Sequence, residues 1–442
     1  MSSIRYLPPI DEQFSDQVGR LFSDEMEGKK IKNLTFKVTE DCNLKCSYCY
    51  QLNKSHKALN FEIAKKLIDG IFDNKYPDIC IDNTKGFILE FIGGEPLMEI
   101  NLISDICDYF FNVALEKYYE CLLYTRISIC SNGILFFDED VQKFFKKYND
   151  FTSFAVTIDG NKEIHDACRV DFSGNGSYDR VIKTVHAYRD LYGKLPGTKV
   201  TFAPSNIFYV CDALISLINE GYTKIPCNCV YEEGWTVEHA TILYSELKKL
   251  ANYLIDNELY DKITIRLFKE HEYRPLDPSD NRNFCGGTNS DTMFAVDFEG
   301  DLYHCIRFME SSLGGDQPKF HIGTVDNGIG ITEEECEHIK KCSEVTRRSQ
   351  STDECFYCPV AAGCAWCSAY CYQIFGTVNK RTTFNCLMHK AAALANVYYW
   401  NTLYKKLRID KTFENRLKED NDALNIVGKD ELEFLNTLER GV

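Results

Sequence analysis

The first half of the chain alternates between short apolar or period-two runs and longer runs in which apolar residues recur every three or four positions. The short runs predict six strands, and the longer runs predict helices between them. The predicted strands are 34–38, 86–93, 126–131, 154–159, 199–205 and 225–231. The predicted helices are 61–72, 102–114, 138–148, 177–191 and 209–219. Mostly apolar strands that alternate with helices are typical of a parallel sheet covered by helices, so an α/β fold is predicted.

A polar loop follows the first predicted strand and carries Cys42, Cys46 and Cys49 at the spacing C-x3-C-x2-C. Three thiolates can hold three irons of a cubane [4Fe–4S] cluster and leave the fourth iron without a protein ligand. A zinc knuckle is the alternative, but zinc needs a fourth ligand, and roughly the next thirty residues offer only His56. The loop therefore predicts a cluster with one open iron that can bind a substrate or cofactor.

The next three strands also end in polar motifs, which are a GGEP turn, a Ser-Asn pair and a segment that closes on an arginine. The residues concerned are Gly93, Gly94, Glu95, Ser131, Asn132 and Arg169. Each motif alone is also typical of an ordinary turn. In parallel β/α folds, however, the carboxyl ends of the strands meet at one edge of the sheet, where sites are built. We therefore expect these residues to lie near the cysteine loop.

Composition and charge narrow the class of protein. The length of 442 residues allows two or three domains, and the net charge of −16 argues against a nucleic-acid partner, which needs a basic surface. The first residues carry no secretion signal and no window is apolar enough to span a membrane, so a cytoplasmic protein is predicted. In that compartment, 21 cysteines indicate metal binding rather than disulfides.

A second set of cysteines lies in the turn-rich segment 285–390, which contains ten of them. Eight follow the order C-x14-G-x4-C, a gap, C-x2-C-x5-C-x2-C-x3-C, a second gap and a final cysteine. These eight are Cys285, Cys305, Cys355, Cys358, Cys364, Cys367, Cys371 and Cys386. Paired C-x2-C units also occur in zinc ribbons, so zinc is the alternative for this segment taken alone.

Residues 32–235 resemble the radical S-adenosylmethionine (SAM) superfamily, on the strength of the C-x3-C-x2-C loop and of 93-GGEP-96 after the second strand. The resemblance implies a partial (β/α)6 TIM-type barrel, with SAM on the open iron and its reductive cleavage to a 5′-deoxyadenosyl radical. The residues implied to bind SAM are Tyr48, Gly93, Gly94, Glu95, Ser131, Asn132 and Arg169. The GGE motif would bind the amino group of SAM, and Ser131 with Asn132 would face its carboxylate or ribose. Arg169 would bind the carboxylate, and Tyr48 would lie on the adenine side.

The segment 285–390 resembles the SPASM domain, which houses two further [4Fe–4S] clusters in enzymes that modify peptides. The outer auxiliary cluster would be held by Cys355, Cys358, Cys364 and Cys386. The inner one would be held by Cys285, Cys305 and Cys367, with Cys371 as an alternative or additional ligand. Cys367 comes one residue earlier than in the family pattern. With three ligands the inner cluster could bind a substrate thiolate, whereas a fourth ligand at Cys371 would close it.

Residues 358–401 resemble a SPASM subgroup that acts on cysteine-repeat (CXXX-type) precursor peptides and forms thioethers, as in sactipeptides and ranthipeptides. This resemblance implies a cysteine-containing precursor peptide as substrate and flavodoxin or ferredoxin as electron donor. An anaerobic sulfatase (formylglycine) maturase and a carbon–carbon cross-linking maturase are the alternatives. The sulfatase maturases have a carboxylate directly after the cysteine equivalent to Cys305, where this chain has Ile306. A non-enzymatic iron–sulfur or zinc scaffold protein is a further alternative. The SAM-binding motifs at successive strand ends argue against it, because a scaffold does not need to bind SAM.

The predicted organisation has five parts. They are an N-terminal extension (1–31), the partial barrel (32–235), a helical connector (236–284), the SPASM domain with two auxiliary clusters (285–390), and a final helix with a charged tail (391–442).

Overall fold

The computed structural model describes residues 29–76, 79–277, 279, 285, 292–315 and 317–439. Most of the predicted N-terminal extension, 1–28, lies outside the described residues. The same holds for most of the stretch around Cys285, which is itself described.

The strands of the described residues form one large sheet and one two-stranded sheet. They are β1 (Lys30–Thr39), β2 (Thr84–Gly93), β3 (Arg126–Ser131), β4 (Thr152–Thr157), β5 (Gly197–Phe202), β6 (Lys224–Ile225), β7 (Cys227–Cys229), β8 (Thr264–Ile265), β9 (Met293–Val296), β10 (Asp301–Tyr303), β11 (Gly323–Thr324) and β12 (Gly328–Ile329). The large sheet has the order β12-β11-β10-β9-β1-β2-β3-β4-β5-β7, and β6 pairs with β8. All neighbours from β1 to β7 are parallel, which confirms the predicted α/β fold with a parallel sheet.

Helices connect and cover these strands. They are α1 (Phe61–Phe72), α2 (Ile100–Lys117), α3 (Glu139–Tyr148), α4 (Lys162–Cys168), α5 (Tyr178–Tyr192), α6 (Val210–Asn219), α7 (Val237–Asp256), α8 (Glu310–Leu313), α9 (Glu333–Ser343), α10 (Arg347–Gln350), α11 (Asp353–Phe356), α12 (Ser368–Phe375), α13 (Cys386–Leu407), α14 (Asn421–Val427) and α15 (Lys429–Glu439). None of the helices in the described part of the chain is long and apolar enough to cross a membrane.

The alternation of β1 explains which face of the sheet forms the core. Leu34, Phe36 and Val38 are fully buried, and Phe36 stacks on Phe91 of β2 with ring centroids 5.5 Å apart. Burying each such side chain contributes about 1.5–3 kcal/mol. Thr35 lies on the opposite face, where its hydroxyl donates to a side-chain oxygen of Glu90 at 2.7 Å. One face of the strand therefore packs in the core while the other carries polar groups.

Two predicted strands differ from the observed ones because of proline and turn chemistry. The strand predicted over 199–205 ends at Phe202, and the Asn206 side chain accepts from the Ala203 amide at 2.7 Å to form a turn. The strand predicted over 225–231 is divided at Pro226 into β6 and β7, which belong to different sheets. Proline lacks the amide that a continuous ladder would need.

The second half of the chain extends the same sheet. Strand β9 pairs in parallel with β1, and β10, β11 and β12 follow in antiparallel order. The strand that leads into the cysteine loop is thus hydrogen-bonded on both sides, by β2 and by β9. The sheet joins the predicted barrel and the predicted SPASM segment in one hydrogen-bonded layer.

Candidate SAM and iron–sulfur sites

The loop with Cys42, Cys46 and Cys49 follows β1 and is held by backbone hydrogen bonds to the end of α4. The amide of Lys45 donates to the Val170 carbonyl at 2.8 Å, and that of Ser47 donates to the Cys168 carbonyl at 3.0 Å. These bonds bracket residue 169. They therefore place Arg169 against the loop, as the sequence predicted for a shared site.

Gly93 and Gly94 let the end of β2 approach the cysteine loop closely. A Cβ on Gly94 would lie 2.0 Å from the Asp41 carbonyl oxygen, and one on Gly93 would lie 2.5 Å from that of Thr39. The amides of Gly94 and Glu95 donate to the carbonyls of Thr39 and Asp41 at 3.0 and 2.8 Å. Both glycines thus contact the backbone just before Cys42, so their lack of a side chain is needed for the packing of the loop.

Glu95 lies buried at the end of β2 and connects to the end of β3. Its carboxylate accepts from the Ser131 hydroxyl at 2.7 Å and from the Asn132 amide at 2.8 Å. Burial raises the pKa of Glu95, and these hydrogen bonds oppose that rise. The Asn132 side-chain amide donates to the Asn43 carbonyl oxygen at 2.6 Å, within the cysteine loop. The predicted motifs of two strands and the loop therefore meet at one edge.

Arg169, Tyr48 and Asp159 form a buried chain beside Cys46. The Arg169 guanidinium donates to the Tyr48 hydroxyl at 2.8 Å, and that hydroxyl donates to the Asp159 carboxylate. Burial raises the pKa of Asp159, which Arg169 opposes. Among the described residues, the buried Nε of Arg169 has no hydrogen-bond partner. An unpaired buried donor on a cation fits a carboxylate such as that of SAM.

The thiols are spaced more widely than a single zinc ion requires. In the described ranges, one group of three or more His, Cys, Asp or Glu ligand atoms lies within 4.8 Å of one another, and it consists of Asp297, Glu299 and Asp301. The three sulfurs of the cysteine loop are therefore not all within that distance of one another. A zinc tetrahedron with Zn–S near 2.3 Å would bring its sulfurs to about 3.8 Å apart. Burial raises the pKa of the Cys42 thiol to about 11, so a thiolate there needs a neighbouring cation such as iron. The spacing fits a cluster rather than a single zinc ion, and the raised pKa indicates only that a bound cation is needed.

The four cysteines predicted for the outer auxiliary cluster lie near one another. Burial raises the pKa of Cys386 to about 12, with contributions from Cys364, Cys358 and Cys355. Cys386 is the first residue of α13, whose preceding segment supplies Arg381. The guanidinium of Arg381 donates to the Cys364 sulfur at 3.0 Å. The structure thus brings the four predicted outer residues together, with Arg381 beside Cys364 and Cys355 and Lys390 near the other two.

The three cysteines predicted for the inner cluster also interact. Burial raises the pKa of Cys305, and negative charge at Cys367 and Cys285 raises it further. The neighbouring His304 is 1% exposed, and neither of its ring nitrogens has a partner in the described part of the chain. Burial lowers the pKa of His304 to about 4, and the charge of His338 on α9 contributes to that shift, so this imidazole lies near His338.

Cys371 lies near the inner thiols, because the negative charge of Cys367 contributes to raising its pKa. It is fully buried on α12, one turn after Cys367, and its sulfur accepts from the Thr382 amide at 3.3 Å. Burial raises its pKa to about 11, and both the Thr382 hydrogen bond and Arg381 oppose the rise. The sulfur of Cys371 thus accepts a backbone amide, as that of Cys367 does from Tyr370 at 3.5 Å, and both remain predicted ligands of the inner cluster.

Arg307 connects the cysteine loop with the inner thiols. Its guanidinium pairs with Glu232 at 3.0 Å and lies 5.0 Å from the ring centroid of Tyr50, which directly follows Cys49. The negative charge of Cys367 contributes to raising the pKa of Arg307. Glu232, Arg307 and Tyr50 were not predicted as site residues, because they come from three distant segments without a motif.

Comparisons with known proteins place this geometry in context. Residues 26–183 match the family model of the 4Fe–4S single cluster domain. An uncharacterised protein of Methanocaldococcus jannaschii is 29% identical over 277 residues, which are 62% of this chain and 85% of that protein. The solved structure of native anSMEcpe with bound AdoMet and a Cp18Cys peptide matches with a TM-score of 0.60 at 17% identity, over 86% of this chain and 100% of that one.

The chain has the fold of anSMEcpe. Streptococcus suis SuiB, solved with its precursor peptide SuiA, matches with a TM-score of 0.51 at 14% identity, over 83% of this chain and 78% of that one. Two curated relatives are similar over shorter stretches. A cysteine-type anaerobic sulfatase-maturating enzyme of Clostridium novyi is 29% identical over 38% of this chain, and the subtilosin biosynthesis protein AlbA of Bacillus subtilis is 26% identical over 50%. The chain spans 43% and 44% of the lengths of these two.

Asp159 is a site residue that the sequence did not predict. Its neighbour Gly160 has a φ of +132°, a conformation that favours glycine, so the chain turns directly after Asp159. The carboxylate nevertheless accepts from the Thr201 amide at 3.2 Å and from Tyr48, inside the site. Its position after the fourth parallel strand was the available signal.

Proposed function

We propose that this radical SAM protein installs sulfur-to-carbon thioether links from cysteine residues of a ribosomally made precursor peptide. The observation that carries the proposal is that one side chain, Arg307, has neighbours in both thiol sets. Arg307 interacts with Tyr50 beside the Cys42/Cys46/Cys49 loop, and with Cys367 of the inner set. A peptide between them would meet the radical-generating site and a sulfur-binding site at once.

When bound, SAM and the three [4Fe–4S] clusters would supply a carbon-centred radical and an electron acceptor. The protein's own residues would hold the reactants. Cys42, Cys46 and Cys49 would bind the first cluster, and Glu95 with Asn132 would orient the amino acid part of SAM. Arg169 would bind its carboxylate through the unpartnered Nε, while Tyr48 and Asp159 keep the guanidinium in place. The buried position of these groups excludes water from the reacting atoms.

The remaining partners follow from the same proposal. The substrate is a cysteine-containing precursor peptide, and flavodoxin or ferredoxin supplies the electron. SuiB binds a precursor peptide in its solved structure, which supports a peptide substrate for this fold. The likeness to AlbA, which acts in subtilosin biosynthesis, supports peptide maturation over half of this chain. The net charge of −16 gives no support to a nucleic-acid partner.

Formylglycine formation is the second candidate, because the Clostridium novyi relative and anSMEcpe are similar to this chain. Against it stands Ile306, an apolar residue at the place where the maturases carry a carboxylate after the inner cysteine. A carboxylate from another element of the fold could take the place of the missing one in formylglycine formation. The two functions are distinguished by the cysteine sulfur, which stays in a thioether product and leaves in formylglycine formation.

The test is anaerobic reconstitution followed by incubation with SAM, dithionite and the cysteine-rich peptide encoded beside the gene. We expect about twelve irons per chain, as three four-iron clusters require, and release of 5′-deoxyadenosine. A thioether product loses two hydrogens per link and its cysteines resist alkylation. Release of hydrogen sulfide with an aldehyde product would establish the maturase instead. Failure to cleave SAM at full iron content would reject both functions.

A further inference from the structure

Gln51 joins the cysteine loop to the end of β2. It follows Cys49 by two residues, and only 5% of its surface is exposed. Its side-chain amide nitrogen donates to the carbonyl oxygen of Gly93, the first glycine of the GGEP motif, at 2.7 Å. Two parts of the predicted SAM site are therefore connected through one side chain that belongs to no recognised motif.

The side-chain oxygen of Gln51 is buried and has no hydrogen-bond partner among the described residues. The bond to Gly93 fixes the orientation of the amide, because a carbonyl acceptor needs the NH2 group to face it. The Tyr50 hydroxyl interacts with the same side chain, in the sense expected when the NH2 group donates. The donors of this amide are thus used within the protein, while its acceptor is open.

The acidic residue predicted to bind the amino group of SAM is largely occupied by the protein. Glu95 is 1% exposed, and its Oε1 accepts from the Leu97 amide at 3.0 Å and from the Ser131 hydroxyl at 2.7 Å. Its Oε2 accepts from the Asn132 amide at 2.8 Å. A carboxylate has about four lone-pair sites, so roughly one remains. An ammonium group has three donors and therefore needs acceptors besides Glu95.

A second open group adjoins the same cysteine loop. The Nε of Arg169 is a buried donor that lacks a partner in the described part of the chain. Gln51 thus offers a free acceptor and Arg169 a free donor, and the ammonium and carboxylate groups of an α-amino acid need one of each. A buried polar atom left open in this way costs free energy until a ligand or a water molecule pairs with it.

We infer that Gln51 binds the α-amino group of SAM through its side-chain oxygen, together with Glu95. The inference rests on the proposed function for the binding of SAM, and it is independent of what happens to the peptide. Gly93 and Tyr50 hold the amide in one orientation, so the oxygen is in place before the ligand binds. Preorganisation of this kind reduces the cost of ordering the side chain on binding.

The test compares SAM with two analogues, one that lacks the α-amino group and one that lacks the carboxylate. Calorimetry measures the binding of each to the anaerobically reconstituted holoprotein. Gln51→Leu removes the acceptor, so we expect the Kd for SAM and for the decarboxylated analogue to rise about tenfold or more. The Kd for the analogue without the amino group should change by less than about twofold, because the group that Gln51 binds is missing from it.

Gln142→Leu is the matched control, because Gln142 on α3 also donates its side-chain amide to a backbone carbonyl, that of Phe136. It should leave the affinities for all three ligands unchanged. Iron content equal to that of the unaltered protein shows that Gln51→Leu keeps its clusters. Gln51→Met is the second variant, since methionine has the unbranched shape of glutamine without its amide, and it should show the same pattern of affinities.

Equal weakening of all three ligands by the Gln51 variants would overturn the inference, because the side chain would then act only on the structure of the loop. Loss of the first cluster from both variants would overturn it for the same reason. Unchanged binding of SAM by Gln51→Leu would reject the role of Gln51 alone. Failure of the unaltered protein to bind SAM would reject the proposed function together with the inference.

Discussion

The two groups of clustered cysteines differ in how far apart their members lie in the sequence. Cys42, Cys46 and Cys49 lie within one short loop, held by backbone hydrogen bonds from Lys45 and Ser47. The inner thiols come from separate segments, at Cys285, Cys305 and Cys367, and meet because the chain folds β9 back onto β1. A loop of this kind can be recognised by its spacing alone, whereas the assembled set depends on the rest of the fold.

The charged groups beside the two sets differ as well. Near the loop, the buried carboxylates Glu95 and Asp159 face the cation Arg169. Near the inner set, Arg307 faces a single partly exposed carboxylate, Glu232. The first arrangement suits a zwitterionic ligand with an amino and a carboxylate group, and the second suits an anionic sulfur. The comparison leads us to expect that substitutions in the loop region abolish SAM cleavage and that those in the auxiliary region leave it intact.

Cys46→Ala should have the largest effect on SAM cleavage. Loss of one of three ligands should remove the first cluster, so that about four of about twelve irons are lost and no 5′-deoxyadenosine is formed. Iron analysis and chromatography measure both quantities. Cys107→Ala is the control, since Cys107 is a fully buried core residue of α2 and should keep its iron. Retention of SAM cleavage by Cys46→Ala would contradict the assignment of the loop.

Gly94→Ala should follow, because the added Cβ would lie 2.0 Å from the Asp41 carbonyl oxygen and must displace the loop backbone. Overpacking of this kind costs roughly 1–3 kcal/mol or more, so we expect SAM cleavage to fall by about a hundredfold. Gly193→Ala is the control: that glycine has a φ of +68° and no atom within 4 Å of an added Cβ. It should lose some stability yet keep the cleavage rate. Equal rates in both variants would refute the close approach.

Tyr48→Phe should have a moderate effect. It removes the hydroxyl that joins Arg169 to Asp159, and hydrogen bonds to charged groups contribute about 1.5–3 kcal/mol. We expect the Kd for SAM, measured from the electron paramagnetic resonance signal of the reduced cluster, to rise at least tenfold. Tyr124→Phe serves as the comparison, because the buried Tyr124 hydroxyl has no partner among the described residues. An unchanged Kd for Tyr48→Phe would mean that Arg169 does not bind SAM.

Cys371→Ser should have the smallest effect. Cys285, Cys305 and Cys367 remain as inner ligands in this variant, so we expect iron content near twelve and an unchanged rate of SAM cleavage. Cys386→Ser should instead lose about four irons while still cleaving SAM, because Cys386 lies with Cys355, Cys358 and Cys364. Iron loss from Cys371→Ser would show that Cys371 binds the inner cluster and closes it.

The sequence predicted the parallel sheet and the meeting of the strand-end motifs because both follow from local patterns. Alternation and chain order suffice to bring Glu95, Ser131 and Asn132 to one edge. The sequence could not predict the division of a strand at Pro226, since the two halves pair with different sheets. It also missed α4, a short helix whose start is capped by the Asn161 side chain, which accepts from the Ile164 amide at 3.1 Å.

The ion pair of Glu232 with Arg307 lay beyond sequence reasoning for a different reason. The two residues are 75 positions apart, and no spacing rule connects a loop after β7 with a turn after β10. Asp159 was accessible in principle, because it follows a parallel strand, but its Asp-Gly pair is equally typical of a turn. Such residues become recognisable as site residues when the fold has brought their partners within hydrogen-bonding distance.

The pairing of β1 with β9 also governs how the chain is made. Strand β1 emerges early in synthesis, but its second neighbour, Met293–Val296, follows more than 250 residues later. Until then β1 exposes a row of unpaired backbone groups, which is a template for aggregation. A truncated barrel that ends before residue 293 should therefore aggregate at the ribosome or need a chaperone. Expression of the whole chain should be favoured by conditions that slow misassembly, such as low temperature.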